Sequence, residues 1–289
     1  MRSYLYIPGN RRKMLDKTAS LPADAFILDL EDSVPAAEKP EARKLVCEYA
    51  AKIPDGRAWV RTNSLDSPFF VGDLEATVGS AGVAGYFVPK VDTVEQVMEI
   101  DRQISALERA RDVAVGATKI ILTAESARAV LHCYALVMAS PRIVSIVFGG
   151  ARDADLMNDL GCAWSSDGSE LMHARQHMLL GARAAGVKAP LDGAYADIRD
   201  KEGFERDTAL SQRLGYRGRM LIHPDQIEPC KRLYGRSAEE IDYYTRVLAA
   251  FADATAAGKA TTTVDGRMID EAMALAARRV LDEAGRTKL

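Results

Sequence analysis

Long apolar runs are missing from this chain. None approaches the 18 or more residues of a membrane-spanning helix, and the opening MRSYLYIPGN lacks the apolar stretch of a secretory signal. The expectation is a cytoplasmic protein without a membrane partner. An excess of charge of one sign is missing as well: 38 basic and 41 acidic residues leave a formal net charge of −3. That balance gives no electrostatic footprint for nucleic acid and points to a small-molecule partner. Cysteine is scarce. Cys47, Cys133, Cys162 and Cys230 lie far apart with no CxxC spacing, which indicates neither a disulfide framework nor a zinc cage and leaves reduced thiols as the expectation. Pro8-Gly9 and Gly149-Gly150 let a backbone approach a ligand closely, yet neither is a GxGxxG or Walker loop, so nucleotide binding by those devices is not indicated.

What the chain does contain is a repeated unit. The segments FILDLED, WVRTN, YFVPK, IILTAE, SIVFGGARD, APLD and RMLIHP each run from apolar residues straight into charged or polar ones, and LYIPGN makes an eighth. Strands apolar on both faces suit a parallel sheet covered by helices. Helix-like stretches rich in Ala, Glu, Arg and Leu lie at 36–52, 93–109, 126–139, 169–185, 201–214 and 225–234. Helix and strand therefore alternate, which gives the α/β class, and eight units favour a TIM (β/α)8 barrel over an open sheet. The 289 residues suffice for one such barrel, which needs roughly 250, and a tail. The barrel is assigned to residues 1–235 and a C-terminal helical extension to 236–289. In that extension helices are expected at 237–257 and 267–284, joined by a polar GKATTTVDG linker that reads as mobile. It is either a packing and oligomer element or a lid. Gly161, Gly186, Gly215 and Gly218 read as helix stops and turns.

A closed parallel barrel brings its strand ends to one face, where barrels of this kind hold their active sites. Asp29, Glu31, Asp32, Arg61, Lys90, Glu125, Asp153, Asp155, Asp192 and His223 are thereby expected at one mouth. Glu125 and the pair Asp153 and Asp155, on adjacent strands, form a candidate carboxylate site suited to Mg²⁺, which keeps waters for a substrate to displace. Arg61 and Lys90 could bind a substrate carboxylate and stabilise an oxyanion, or could be ion-pair partners of the nearby acids. Glu31 and Asp32 would orient Arg61 or metal-bound water. His173 and His177 have the spacing of a zinc-protease helix, but Ala174 stands where the catalytic Glu would be, so they read as an ordinary helix face. His223, before Pro224, is expected to orient the last loop.

In order along the chain, YIPGNRRKM, ILDLEDSVPAAEKPEAR, VRTN, VPKV, TAES, VFGG with DLMNDLG, HARQHMLLGARAAG and RGRMLIHPDQI resemble the citrate lyase beta-subunit family of the HpcH/HpaI aldolase superfamily. The resemblance covers nearly the whole chain. It implies a Mg²⁺-binding barrel, usually a homotrimer, that makes or breaks a carbon–carbon bond beside a coenzyme A thioester. Under it, Glu125 matches the first metal carboxylate and Arg61 the substrate-binding arginine, while Tyr6, Lys13 and Lys39 match positions lining the CoA and substrate site. DGRMID selects Asp270 as the aspartate that such lyases bring over the active site, often from a neighbouring subunit, and this favours the lid. The family usually has FGGED or FGAED, whereas this chain has FGGARDADLMNDLG. Counting from the strand selects Asp153; counting back from Asp159-Leu160-Gly161 selects Asp155, which is preferred. Glu271 also replaces a proline found in many CoA lyases. The implied activity is cleavage of citramalyl-CoA or malyl-CoA to acetyl-CoA and a 2-keto acid. Alternatives are a citrate lyase beta subunit acting on an acyl carrier protein and a malyl-CoA thioesterase. Arg61→Ala is expected to leave the fold intact and activity near background.

Overall fold

The computed structural model describes residues 1–54 and 56–284. Eight parallel strands close into a barrel in sequence order: β1 (Ser3–Pro8), β2 (Ala25–Asp29), β3 (Ala58–Arg61), β4 (Val83–Val88), β5 (Lys119–Ala124), β6 (Ile143–Phe148), β7 (Leu191–Asp192) and β8 (Gly218–Leu221). β1 closes the ring by pairing with β8. Around them run α1 (Arg12–Leu15), α2 (Lys39–Ala50), α3 (Phe70–Thr77), α4 (Val94–Ala110), α5 (Ala127–Leu131), α6 (Cys133–Met138), α7 (Asp155–Leu160), α8 (Met172–Ala184), α9 (Lys201–Leu214) and α10 (Ile227–Leu233).

Successive side chains on a strand point to opposite faces, and both faces here are buried. Outward residues such as Leu5, Phe26, Leu28, Val60, Tyr86, Leu122 and Ile146 join the helices in the main core. Inward residues form a separate plug of Tyr4, Ala25, Ile27, Trp59, Phe87, Ile121, Val147, Leu191 and Met220. Phe87 meets Tyr4 and Trp59 edge-on, with ring centroids 5.8 and 5.7 Å away, the preferred aromatic geometry. The barrel interior is thus filled, and the space at its mouth lies above this plug. Two residues further along each strand the inward positions become Tyr6, Asp29, Arg61, Pro89, Thr123, Gly149, Gly193 and Ile222. The pattern of two therefore carries the core directly into the mouth.

Local signals set the helix starts. Thr93 caps α4 in a reciprocal box with Gln96, Ser126 accepts from Ala129 N–H at the start of α5, and Asp200 accepts from Gly203 N–H at the start of α9. The helix expected over 126–139 is split at His132 into α5 and α6. Gly161 and Gly215 end α7 and α9 in the left-handed conformation, as anticipated. Gly218 does not stop a helix. It opens β8, where a Cβ would lie 2.6 Å from the Arg2 carbonyl oxygen, so the glycine permits close strand pairing. All four cysteines are free thiols.

The chain divides into two compact units, the first Met1–Tyr234 and the second beginning at Gly235. In the second, α11 (Ala238–Ala256) is capped by a Ser237–Glu240 box. The segment expected to be a mobile linker and the start of the last helix is instead an antiparallel hairpin, β9 (Thr262–Val264) and β10 (Arg267–Ile269), followed by α12 (Glu271–Glu283). Asp265 and Gly266 both have positive φ, 49° and 76°, which is what a two-residue hairpin turn of the primed type requires. Val247, Val264, Ile269 and Ala277 form this unit's own small core. Among the described residues no helix is long and apolar enough to cross a membrane.

Candidate active site

An open cleft of about 460 Å³ at the C-terminal ends of the strands is lined by Tyr6, Asp29, Asp32, Arg61, Glu125 and Asp155, with Thr123, Val147, Gly149, Ala194, Met220 and Ile222 among the remaining walls. Its centre of gravity electrostatically is Arg61. Register pairs Asp29 of β2 directly with Arg61 of β3. The guanidinium forks onto that carboxylate, Nε to Oδ1 at 2.7 Å and Nη2 to Oδ2 at 2.8 Å, while Nη1 reaches Glu31 Oε2 at 3.0 Å. The Tyr6 ring lies 4.8 Å from its carbon centre. Bidentate pairing fixes orientation as well as charge. Asp29 is further held by the Ser33 hydroxyl and the Glu31 N–H. Burial opposes its charge, but Arg61 and Ser33 outweigh that and bring its pKa below the usual carboxylate range.

Glu31 is buried, and its contact with Arg61 is an ion pair whose angles leave Oε2 without a hydrogen-bond partner. Burial pushes its pKa up to about 7, with Arg61 pulling the other way. Glu125 is pushed up to about 8, first by burial and then by the neighbouring Glu31 charge. Both shifts come chiefly from burial, which the nearby cations only partly offset. Lys90 adopts a left-handed backbone, φ 56°, a conformation that costs a non-glycine residue roughly 1–2 kcal/mol. That turn aims its N–H at Glu125 Oε2, 3.3 Å away, and carries its ammonium to 3.4 Å from Asp155 Oδ2 and 3.6 Å from Glu31 Oε1. Gly149 is required beside it, because a Cβ there would sit 2.6 Å from Glu125 Cγ.

The two aspartates after β6 separate cleanly. Asp155, the first residue of α7, lines the cleft with Glu125. Asp153 sits in a turn with φ 59°, is exposed, and its carboxylate faces Arg152 at 3.4 Å. Glu125 and Asp155 facing open space suit a hard cation that retains waters. Among the described residues no three His, Cys, Asp or Glu side chains gather into a closed cage. The donor set therefore fits Mg²⁺ better than structural zinc.

Other residues fall elsewhere. Lys39, expected at the substrate site, is buried, because the first turn of α2 runs beneath the β2–α2 loop. Its ammonium donates to the Leu30 and Glu31 carbonyls at 2.7 and 2.9 Å and lies over Phe69, so it anchors the loop that carries Glu31. Lys13 is exposed on α1 and is not among the cleft walls. Asp192 is buried in ion pairing with Arg175, and that network continues through Asp207 to Arg219 along a small side pocket. His223 caps the last loop, its Nδ1 accepting from Asp225 N–H at 3.2 Å. His173 and His177 are neighbours on α8, ring centroids 6.0 Å apart. Asp270 is the N-cap of α12 and accepts from Met273 N–H at 2.9 Å. Sequence reasoning passed over Asn63, whose amide donates to Leu30 O and Asp73, bracing the same loop; the polar ending of VRTN was its only signal.

The model of the HpcH/HpaI aldolase/citrate lyase family matches residues 2–224. Citrate lyase subunit beta of Escherichia coli is 36% identical over 287 residues, covering 98% of this chain and 93% of that protein. The (3S)-malyl-CoA thioesterase of Cereibacter sphaeroides is 32% identical over 285 residues, covering 98% and 94%. The L-malyl-CoA/beta-methylmalyl-CoA lyase of Rhodobacter capsulatus is 30% identical over 308 residues, covering 100% and 96%. Among solved structures, the CitE protein of Mycobacterium tuberculosis in complex with magnesium, acetoacetate and coenzyme A superimposes with a TM-score of 0.76 at 28% identity, covering 98% of each chain. A filled parallel barrel with paired carboxylates beside a pinned arginine, matched over its whole length, thus belongs to the HpcH/HpaI aldolase/citrate lyase family, a family of carbon–carbon lyases.

Proposed function

We propose that this chain cleaves a 3-hydroxyacyl-CoA thioester of the citramalyl-CoA or malyl-CoA type to acetyl-CoA and a 2-keto acid, with Mg²⁺ held by Glu125 and Asp155. The observation that carries the reading is that these two carboxylates share one cleft with Arg61, whose guanidinium is fixed by Asp29. Mg²⁺, when bound, supplies the positive charge that acidifies the substrate hydroxyl and neutralises its carboxylate. Loss of the hydroxyl proton to solvent then lets the carbon–carbon bond break, the hydroxyl carbon becoming the keto-acid carbonyl and the electron pair passing to the thioester as an enolate, which takes up a proton to give acetyl-CoA. Arg61 faces that developing oxygen charge, and preorganised donors of this kind are worth about 10²- to 10³-fold in rate. Glu31 holds Arg61 on one side and Lys90 on the other. Tyr6 supports the guanidinium from beneath. Proton exchange at the acetyl carbon is assigned to Asp270 on the resemblance, and the resemblance also suggests a homotrimer, which light scattering would test.

Two relatives support competing outcomes. The Cereibacter thioesterase favours hydrolysis of the thioester, and the Escherichia coli citrate lyase subunit favours the beta-subunit reading, for which the family resemblance implies an acyl-carrier-protein substrate. One assay separates them: (S)-citramalyl-CoA, (R)-citramalyl-CoA and malyl-CoA incubated with Mg²⁺, following keto acid, acetyl-CoA and free CoA together, with EDTA as control. Equal keto acid and acetyl-CoA, abolished by EDTA, supports the lyase. Free CoA without keto acid would transfer the weight to the thioesterase, and inert CoA esters to the carrier-protein substrate.

A further inference from the structure

The cleft holds two cations in different mechanical states. Arg61 is locked, its side chain 15% exposed and its fork spent on Asp29. Lys90 is not. Its ammonium stands 3.4 Å from Asp155 and 3.6 Å from Glu31, bridging both at distances longer than a tight hydrogen bond. Its side chain is 45% exposed, on a flexible four-carbon stem. Its root, in contrast, is fixed beside a metal carboxylate by the left-handed turn and by the N–H directed at Glu125. A lysine, rarely found with positive φ, thus stands where glycine would be unstrained, which points to use of its side chain.

We propose that Lys90 is an exchangeable counter-ion. It competes with the divalent cation for Asp155, and on metal binding it passes to the carboxylate of the incoming substrate, making metal and anionic substrate bind cooperatively. This rests on the reading that Glu125 and Asp155 hold Mg²⁺. A divalent ion on those carboxylates and an ammonium a few ångströms away repel each other, so the ammonium is driven off Asp155. The charge it gives up there is recovered on a substrate carboxylate held beside the metal. Binding of the anion therefore relieves the repulsion that opposes the metal, and by linkage the metal promotes binding of the anion to the same extent. Arg61 cannot serve in its place, because its two-point grip on Asp29 holds the guanidinium still and it cannot move between partners.

The test is calorimetric titration of the full chain with Mg²⁺, alone and with saturating pyruvate as the keto-acid probe, on wild type, Lys90→Gln, Lys90→Arg and Lys90→Gly. For wild type, pyruvate is expected to tighten Mg²⁺ binding. In Lys90→Gln, Mg²⁺ alone should bind about three- to tenfold more tightly once the like charge is gone, and the effect of pyruvate should shrink by a similar factor. Lys90→Arg keeps the cation and should restore the wild-type pattern. Lys90→Gly removes the charge and the backbone strain together, so it carries the test should Lys90→Gln fold poorly. Mg²⁺ affinity unchanged or weakened in both uncharged variants would overturn the proposal and leave Lys90 an ordinary anchor. Absence of Mg²⁺ binding by the wild type would instead overturn the metal site itself.

Discussion

Arg61 and Asp29 are register partners on adjacent strands and share two hydrogen bonds of 2.7 and 2.8 Å at the floor of the cleft. That pair changes what an alanine at position 61 would report. Removing one member of a buried pair leaves an uncompensated charge, at a cost of about 3–5 kcal/mol, so Arg61→Ala is expected to lose stability together with activity, contrary to what its place in the sequence suggests. Arg61→Lys keeps the charge and loses the fork. We expect it to melt close to wild type while kcat falls about 100-fold; thermal melting beside steady-state rates decides, and an unchanged kcat would remove Arg61 from the chemistry.

Metal binding should release protons. With Glu125 near 8 and Glu31 near 7 in the metal-free protein, Glu125 is mostly protonated at neutral pH. A raised carboxyl pKa favours the protonated fold, so these two groups contribute stability below the usual carboxylate range that is lost as pH rises through about 7 to 8. Mg²⁺ takes the ionised form, and calorimetry in buffers of different ionisation enthalpy should show about one proton released per Mg²⁺ at pH 7 and almost none above pH 9. Release independent of pH would count against Glu125 as a ligand.

Asp155 and Asp153 should behave oppositely. Asp155→Asn removes a cleft carboxylate and is expected to weaken Mg²⁺ at least about tenfold. Asp153→Asn alters an exposed turn whose positive φ asparagine tolerates, and its Mg²⁺ affinity should stay within about twofold of wild type. The reverse pattern would move the site to Asp153.

Stability has a separate centre at the other end of the barrel. Arg142, just before β6, is 2% exposed and binds Asp101, Glu108 and Ser105 at 2.6 to 2.9 Å. Burial opposes the Glu108 charge, yet Arg142 and two backbone N–H groups bring its pKa down to about 2. Its contribution is therefore complete above the usual 4.5 and is lost as pH falls toward 2. Arg142→Ala should cost about 3–5 kcal/mol in denaturant unfolding, with Mg²⁺ affinity of the folded fraction unchanged; loss of metal binding at full folding would show that this network reaches the cleft.

The sequence was sufficient for the barrel and for the rule that its strand ends gather at one face. Apolar runs and helical stretches are local properties, and once eight such units alternate, strand-end residues such as Arg61 and Glu125 must converge. A local signal was also present at Asp265-Gly266, a hairpin turn, but the Thr-rich flank and the helical pattern after it obscured the hairpin. Which neighbour each mouth residue meets depends on register and backbone conformation, and these are settled only when all strands pair at once. The tertiary structure alone therefore decided that Arg61 is clamped by Asp29, that Lys39 turns inward beneath its loop, and that Lys90 takes a left-handed turn toward Glu125. Spacing along a chain fixes which strand end a residue occupies; the direction and partner of its side chain follow from three-dimensional packing.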